Sequence, residues 1–157
     1  MTATHTHSIP DPLAAQHEPE RLPFFCYGTL RPGHGNSRLW EGDAAARYDG
    51  EARLANHQMT AWGCPYISPL DGWTVTGTLV YANDDLSLYE YRHLLYRLDS
   101  LEGVVYADPP SGHYQRKAVD VDTPDGPVRA WVYWSDMPAK RVVPGGDWNN
   151  VERGRLT

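Results

Sequence analysis

The chain has few cysteines and no long apolar run. Its 157 residues include only two cysteines, Cys26 and Cys64. A small secreted domain held by disulfides would use more, so we expect two reduced thiols in a cytoplasmic protein, although the sequence leaves one bridge open. No apolar segment approaches the ~20 residues that cross a bilayer, and no charged start with an apolar core opens the chain. We therefore expect neither a membrane partner nor a secretory signal.

Basic residues are also scarce. The sequence has 14 Lys and Arg against 20 Asp and Glu, which gives a formal net charge of -6. The basic residues are scattered, with no run or stripe. Sequence-independent nucleic-acid binding depends on Lys and Arg that neutralise phosphates, so we expect no nucleic-acid partner.

Several catalytic and cofactor signatures are missing as well. The sequence contains no G-x-S-x-G nucleophile elbow, no dinucleotide fingerprint and no P-loop. The histidines His34, His57, His93 and His113 lack the spacing of metal ligands on one helix face, so we expect no metal. Cys26 sits in an apolar run and predicts core packing rather than a reactive thiol.

What is present suffices for one ordinary globular domain. The chain is 41% hydrophobic and 22% charged, and its length suits a single domain with a real core. Residues 1–22 are polar, contain His and Pro, and show no periodicity, which predicts a disordered tail. Residues 23–157 are then the single domain.

Short strands and one helix are predicted within this domain. Strands are expected at Phe24–Tyr27, at 46–59 in a broken pattern, at Trp73–Tyr81, and at His113–Val121 and Val128–Trp134, which a turn at 122–127 joins. Gly77 inside a strand indicates a bulge or a close approach by other backbone.

The helix is marked by apolar residues at helical spacing. Leu88, Tyr91, Leu95 and Leu98 recur in this way, Asn83–Asp85 is expected to supply the N-cap, and Gly103 is a natural stop. The elements are mixed rather than alternating. The predicted class is α+β, with a curled or barrel-like sheet of about five to six strands and the helix packed at one side.

Two segments could carry chemistry. Tyr27-Gly28-Thr29-Leu30 directly follows a strand, and a glycine there lets successive backbone N–H groups converge on a small anion, with an ordinary strand-end turn as the alternative. Glu102 ends the helix behind apolar leucines. Desolvation and the negative end of the helix dipole would raise its pKa toward that of a general base, whereas an exposed helix-end glutamate would keep an ordinary one.

These segments and others in the same order resemble the γ-glutamylcyclotransferase-like family, which includes γ-glutamylamine cyclotransferases and AIG2-like proteins. The resemblance covers about residues 23–148. The segments that carry it are Phe25-Cys26-Tyr27-Gly28-Thr29-Leu30-Arg31, Gly77-Thr78-Leu79-Val80-Tyr81, Leu98-Asp99-Ser100-Leu101-Glu102-Gly103, Tyr114-Gln115-Arg116-Lys117-Ala118-Val119 and Ala130-Trp131-Val132-Tyr133.

The resemblance implies a barrel-like sheet with one main helix and a cofactor-independent cyclotransferase. The implied reaction cleaves a C–N bond with ring closure and releases 5-oxoproline from a γ-glutamyl amine or γ-glutamyl amino acid. It also implies a monomer or weak homodimer. The implied catalytic residue is Glu102, and the implied substrate-binding residues are Tyr27, Gly28, Thr29, Leu30 and Tyr114.

One departure from the family concerns the pocket wall. Many family members have an aromatic residue two positions after the glutamate, where this chain has Val104 and, two places later, Tyr106.

Two other functions stay open. A non-catalytic module that binds a γ-glutamyl or other carboxylate-bearing metabolite would also use the 27–30 loop, and the presence of Glu102 favours the enzyme over this module. A third reading is an interaction domain that exposes its aromatic strand.

Removal of the N-terminal tail tests the domain boundary. Because residues 1 to about 21 lack periodicity and apolar anchors, their deletion should leave the thermal midpoint and ligand binding nearly unchanged. Differential scanning calorimetry and calorimetric titration measure both. A large loss of either would show that the tail packs on the domain.

Overall fold

The computed structural model of the chain describes residues 21–31, 40, 47–106, 111–136 and 141–151. In these ranges the chain forms strands and one α-helix, followed by two short 3-10 turns. In chain order they are β1 (Phe24–Cys26), β2 (Arg47–Trp62), β3 (Cys64–Tyr81), α1 (Leu88–Glu102), β4 (Val104–Val105), β5 (Ser111–Gly112), β6 (Gln115–Thr123), β7 (Gly126–Trp134), β8 (Arg141–Val142), and the turns Pro144–Gly146 and Trp148–Asn150.

The main sheet closes into a barrel. Its strand order is β3-β1-β7-β6-β2-β8, and an additional pairing of β3 with β2 joins the ends. Five strands therefore form a closed mixed barrel, with β8 outside it on β2. The short β1 runs parallel to β7 and antiparallel to β3. The predicted α+β class, with a barrel-like sheet and one main helix, is confirmed.

Alternation along β1 separates two apolar clusters. Phe25 faces the barrel interior, where it packs with buried residues of every barrel strand. Phe24 and Cys26 face the other side, where they pack against α1 and Trp131. Gly77 on β3 permits close contact with β1, since a Cβ there would lie 2.7 Å from the Cys26 carbonyl oxygen. The predicted close approach of backbone at Gly77 is confirmed.

The helix presents one apolar face to the barrel. Its buried residues are Tyr91, Leu94, Leu95, Leu98 and Asp99. The sequence prediction of its N-cap was wrong. Ser87, not the Asn83–Asp85 segment, is the cap: its side chain accepts from Glu90 N, and Glu90 Oε1 accepts from Ser87 N at 2.8 Å. The Asn83 side chain instead accepts from Asp85 N in the preceding turn.

The C-terminal end of the helix is fixed by Gly103. This residue is left-handed, with φ 73° and ψ 33°, and its N–H donates to the carbonyls of Asp99 and Ser100. Glycine adopts this conformation at little cost. Glu102 is therefore held as the last helical residue, as the sequence indicated.

The strands differ from the prediction mainly in length. The β2–β3 hairpin is much longer than the predicted pieces, because β2 continues to Trp62 and β3 starts at Cys64, across a turn at Gly63 with φ 77°. Residues 1–20, which hold most of the predicted tail, lie outside the described residues. In the described part of the chain, no helix is long and apolar enough to span a membrane.

The capping box of α1 gives a measurable contribution to stability. Replacing Ser87 by Ala removes the side-chain acceptor of Glu90 N, so we expect the free energy of unfolding to fall by about 1 kcal/mol. Urea denaturation measures the change. Ser100→Ala, at an exposed position inside the same helix, is the matched control and should be neutral or slightly stabilising. Equal stabilities of the Ser87 variant and the parent would contradict this assignment.

Candidate active site

A cavity of about 260 Å³ lies where the end of β1 meets the end of α1. The starts of β3 and β6 form its other walls. Every residue assigned to the site from the sequence lines it. These are Tyr27, Gly28, Thr29, Leu30, Glu102 and Tyr114. Two segments more than seventy positions apart in sequence thus share one concavity.

The loop formed by residues 27–30 is a tight turn at the cavity wall. Arg31 N donates to the Gly28 carbonyl at 3.0 Å, and Trp40 Nε1 donates to the Leu30 carbonyl at 2.9 Å. In the described ranges, no hydrogen bond uses the backbone N–H of Gly28 or of Leu30. N–H groups of this kind, at the wall of a cavity, can donate hydrogen bonds to an anionic ligand group.

Gly28 is required by its contact with the opposite wall. A Cβ at this position would lie 2.8 Å from Pro65 Cγ. A larger residue would displace Pro65 or the 27–30 loop, since real Cβ contacts are not this short. The glycine therefore allows the backbone of the loop and the start of β3 to come together at the cavity.

Arg31 anchors the loop from behind. Its guanidinium is buried, with Nε donating to Thr78 Oγ1 at 3.1 Å and Nη1 to Asp147 Oδ1 at 2.8 Å. Asp147 also accepts from Asn149 N at 2.9 Å, in the last 3-10 turn. The loop is thus tied both to β3 and to the C-terminal segment of the described chain.

Glu102 presents a carboxyl group of raised pKa to the same cavity. Burial, followed by the charge of Asp99, raises the pKa of Glu102 to about 7. No hydrogen bond or ion pair joins its carboxylate to the described residues. The raised pKa agrees with the predicted direction, and burial, its largest cause, is one of the two causes that the sequence suggested.

Asp99, one helical turn before Glu102, is the centre of a buried network. Arg116 binds it through two contacts, Nε–Oδ1 at 2.8 Å and Nη2–Oδ2 at 3.1 Å. The hydroxyls of Tyr133 and Tyr106 donate to its two carboxylate oxygens. The Arg116 guanidinium also lies over the Trp131 ring, 4.2 Å from its centroid. Asp99 is therefore a fixed negative charge one turn before the helix end that carries Glu102.

The tyrosine hydroxyls around the cavity are committed to the scaffold. Tyr27 donates to the Tyr133 carbonyl and Tyr114 to the Pro65 carbonyl, each at 2.6 Å. Burial raises the pKa of both phenols well above the usual value. Tyr106 does not line the cavity and donates to Asp99. These phenols are therefore poor candidates for a general base.

Sequence analysis missed part of the cavity wall. Cys64, Pro65 and His113 line it together with Glu102. Cys64 Sγ donates to Tyr66 Oη at 3.3 Å, and Tyr66 Oη lies 3.1 Å from His113 Nε2. No local sequence pattern indicates these contacts, because Tyr66 and His113 are 47 positions apart and only the fold brings them together. Both cysteines are free thiols, as expected.

The cavity offers acid–base chemistry and anion binding by backbone donors. Among the described residues, no group of three or more His, Cys, Asp or Glu side chains could hold a metal ion. Arg31 and Arg116 lie near the cavity, but each is bound to its own carboxylate. A single ionisable carboxyl therefore faces amide donors within one small space.

The raised pKa of Glu102 should weaken folding at alkaline pH. Its folded pKa of about 7 exceeds the reference 4.5, so its stabilising contribution is complete below about pH 4.5 and is lost as pH rises through 7. Glu102→Gln should therefore be more stable than the parent at pH 8, by on the order of 1–3 kcal/mol. Urea denaturation at pH 5 and pH 8 measures the difference, which should shrink at pH 5. The exposed Glu51→Gln is the control, and an equal effect there would contradict the assignment.

Comparisons with known proteins identify the family of the chain. No curated protein matches the chain. An AIG2-like protein from Mus musculus is 26% identical, with TM-score 0.57, over 75% of this chain and 79% of its own. The protein ytfP from Escherichia coli is also 26% identical, with TM-score 0.52, over 82% of this chain and 97% of its own.

An uncharacterized protein from Pyrococcus horikoshii shares the fold, with 22% identity and TM-score 0.55, over 82% of this chain and 90% of its own. The model of one family, described as Gamma-glutamyl cyclotransferase, AIG2-like, matches residues 24–150. That range contains β1, the 27–30 loop, α1 and Glu102. The chain therefore belongs to the AIG2-like γ-glutamyl cyclotransferase family.

Proposed function

We propose that the protein is a γ-glutamyl cyclotransferase that releases 5-oxoproline and a free amine or amino acid. The observation that carries this proposal is the shared cavity, in which the Glu102 carboxyl and the amide donors of the 27–30 loop lie together. Membership in the family supports the reaction class. The substrate class is inferred from the anion that the 27–30 loop can bind and from the proton that Glu102 can transfer.

The 27–30 loop would hold the α-carboxylate of a γ-glutamyl group. Backbone N–H groups at Gly28 and Leu30 are available for an anion, and their positions are fixed by Arg31 and Pro65. A donor that is already in place costs no reorganisation when the ligand binds. Tyr27 and Tyr114 would contribute ring surface to the wall, because their hydroxyl protons are already donated to backbone carbonyls.

Glu102 would remove a proton from the substrate α-ammonium. A free α-amino group has a pKa near 8, so transfer to an ordinary glutamate at about 4.3 is uphill by more than 3 pKa units, or about 5 kcal/mol. With the pKa of Glu102 raised to about 7, the same transfer is uphill by about 1 unit, or about 1.4 kcal/mol. Burial and the charge of Asp99 thus bring the pKa of Glu102 close to that of the ammonium group it would deprotonate.

The neutral amine then attacks the γ-carbonyl carbon of the same molecule. A C–N bond forms to close the five-membered ring, and the bond from that carbon to the leaving nitrogen breaks. Protonated Glu102 gives its proton to the leaving nitrogen. The regenerated carboxylate then takes the second proton from the ring nitrogen, and this proton passes to the released amine, so one carboxyl serves every transfer. Well-oriented intramolecular attack can lower the barrier by about 7–11 kcal/mol, and the chain therefore needs no nucleophile of its own.

The reaction requires no cofactor in this scheme, and the two free thiols suit a reducing compartment such as the cytoplasm. The Cys26 thiol has no part in the mechanism. Burial raises its pKa far above the usual range, so it stays protonated and packs against α1. Cys64 and His113 line the cavity together with Glu102.

Glu102→Gln tests the proposal directly. Gln keeps the size of the side chain but cannot take the ammonium proton, so cyclisation should slow by at least about 10²-fold while substrate affinity stays largely intact. A panel of γ-glutamyl amines and γ-glutamyl amino acids is assayed for 5-oxoproline release. Calorimetric titration with a compound that the parent turns over measures its affinity for the variant.

Two outcomes would redirect the assignment. If Glu102→Gln cyclised substrates at the parent rate, Glu102 would not be the base. If parent and variant both bound a γ-glutamyl compound and neither turned one over, the protein would be a binding module for that metabolite. Glu51→Gln, on the exposed surface of β2, is the matched control and should keep the parent rate.

A further inference from the structure

A second cluster of titratable side chains lies on β2, β6 and β7, away from the cavity. Lys117 Nζ is 3.0 Å from His57 Nε2 and 4.8 Å from the centroid of the Trp134 ring. None of these three residues lines the cavity. Lys117 follows Arg116 on β6, so their side chains point to opposite faces of the strand. Arg116 serves the Asp99 network, whereas Lys117 has no role in the proposed reaction.

The tautomer of His57 is fixed by a backbone carbonyl. His57 Nδ1 lies 2.9 Å from the Ala55 carbonyl oxygen, which can only accept a hydrogen bond, so Nδ1 carries the proton. In the neutral ring Nε2 then has a free lone pair, and this lone pair accepts from Lys117. An amine, a base within hydrogen-bond distance and a third group that orients the base form the arrangement of an activated nucleophile.

The backbone next to His57 contains a β-bulge. The pairing of β2 with β3 shifts register between Ala55 and His57, and the intervening Asn56 has φ 57°, in the left-handed region. This conformation is costly for a residue other than glycine, and bulges commonly redirect a side chain. The bulge helps to bury His57, which is only 8% exposed, beside Lys117.

The amine also lacks an acidic partner. In the part of the chain that the structure describes, no carboxylate forms an ion pair with Lys117. Burial lowers the pKa of Lys117, and burial together with the charge of Lys117 lowers the pKa of His57. Both shifts increase the fraction of neutral amine and of neutral imidazole near neutral pH.

We propose that Lys117 is a nucleophilic amine, activated by His57, and that it is a site of acylation by acyl phosphates. His57 Nε2 takes one ammonium proton, and the amine nitrogen forms a bond to the acyl carbon. The bond from that carbon to the phosphate oxygen breaks, and phosphate leaves with the electron pair. The products are an amide at Lys117, hydrogen phosphate and one released proton. The inference is independent of the proposed cyclotransferase reaction.

The sequence makes the experiment simple, because it contains only two lysines, Lys117 and Lys140. The purified full chain is incubated with acetyl phosphate near pH 8, and peptide mass spectrometry follows acetylation of each lysine with time. A lowered pKa raises the fraction of neutral amine, so Lys117 should be acetylated several-fold faster than Lys140. In urea the two rates should become equal.

Two variants separate activation by His57 from simple exposure. His57→Gln keeps a polar side chain without a basic nitrogen and should lower the Lys117/Lys140 rate ratio well below that of the native parent. His93→Gln, at an exposed position of α1, removes an imidazole elsewhere and should leave the ratio unchanged. Circular dichroism checks that each variant folds. The ratio is measured within one molecule, so differences in concentration or reagent cancel.

The result can overturn the proposal in either of two ways. A ratio near or below one in the native parent would show that Lys117 is not activated. A high ratio retained in folded His57→Gln would show that His57 is not its base. If that variant did not fold, the comparison of the native parent with the parent in urea would decide, since only a native ratio well above the unfolded one supports activation.

Discussion

The buried ion pair of Asp99 with Arg116 is the interaction on which the rest of the site depends. It joins α1 to β6 through two hydrogen bonds, and both side chains are almost completely shielded from water. Loss of one partner would leave the other charge buried, which typically costs about 3–5 kcal/mol. The same pair sets the position of the helix end on the barrel and keeps a negative charge near Glu102. The stability of the fold and the raised pKa of Glu102 therefore both depend on this pair.

Successive side chains of a strand point to opposite faces of the sheet, and this alternation separates the different clusters of the small barrel. On β6, Arg116 faces the helix while Lys117 faces His57 and Trp134. On β1, Phe24 and Phe25 divide the apolar surface between the two clusters in the same way. Each strand has two chemically distinct faces, so the acid–base site and the lysine cluster can coexist a single residue apart.

The sequence was informative where function depends on local pattern. The 27–30 loop, the end of α1 at Glu102 and the αL position of Gly103 are each encoded within a few residues. It was uninformative where the cavity wall depends on residues that only the fold brings together, as for Cys64 and His113. The N-cap was misassigned because three polar residues precede Ser87, and the choice among them depends on the reciprocal contact with Glu90.

The contact between Arg31 and Asp147 has a consequence for the order of assembly. The two residues are 116 positions apart, so the loop at the cavity is synthesised long before the residue that anchors it. Barrel strands and helix can pair as they emerge, but the amide donors reach their final positions only when the segment around Asp147 docks beside Thr76. A nascent chain would therefore acquire its fold before its binding site, and the last turns act as the closing step of maturation.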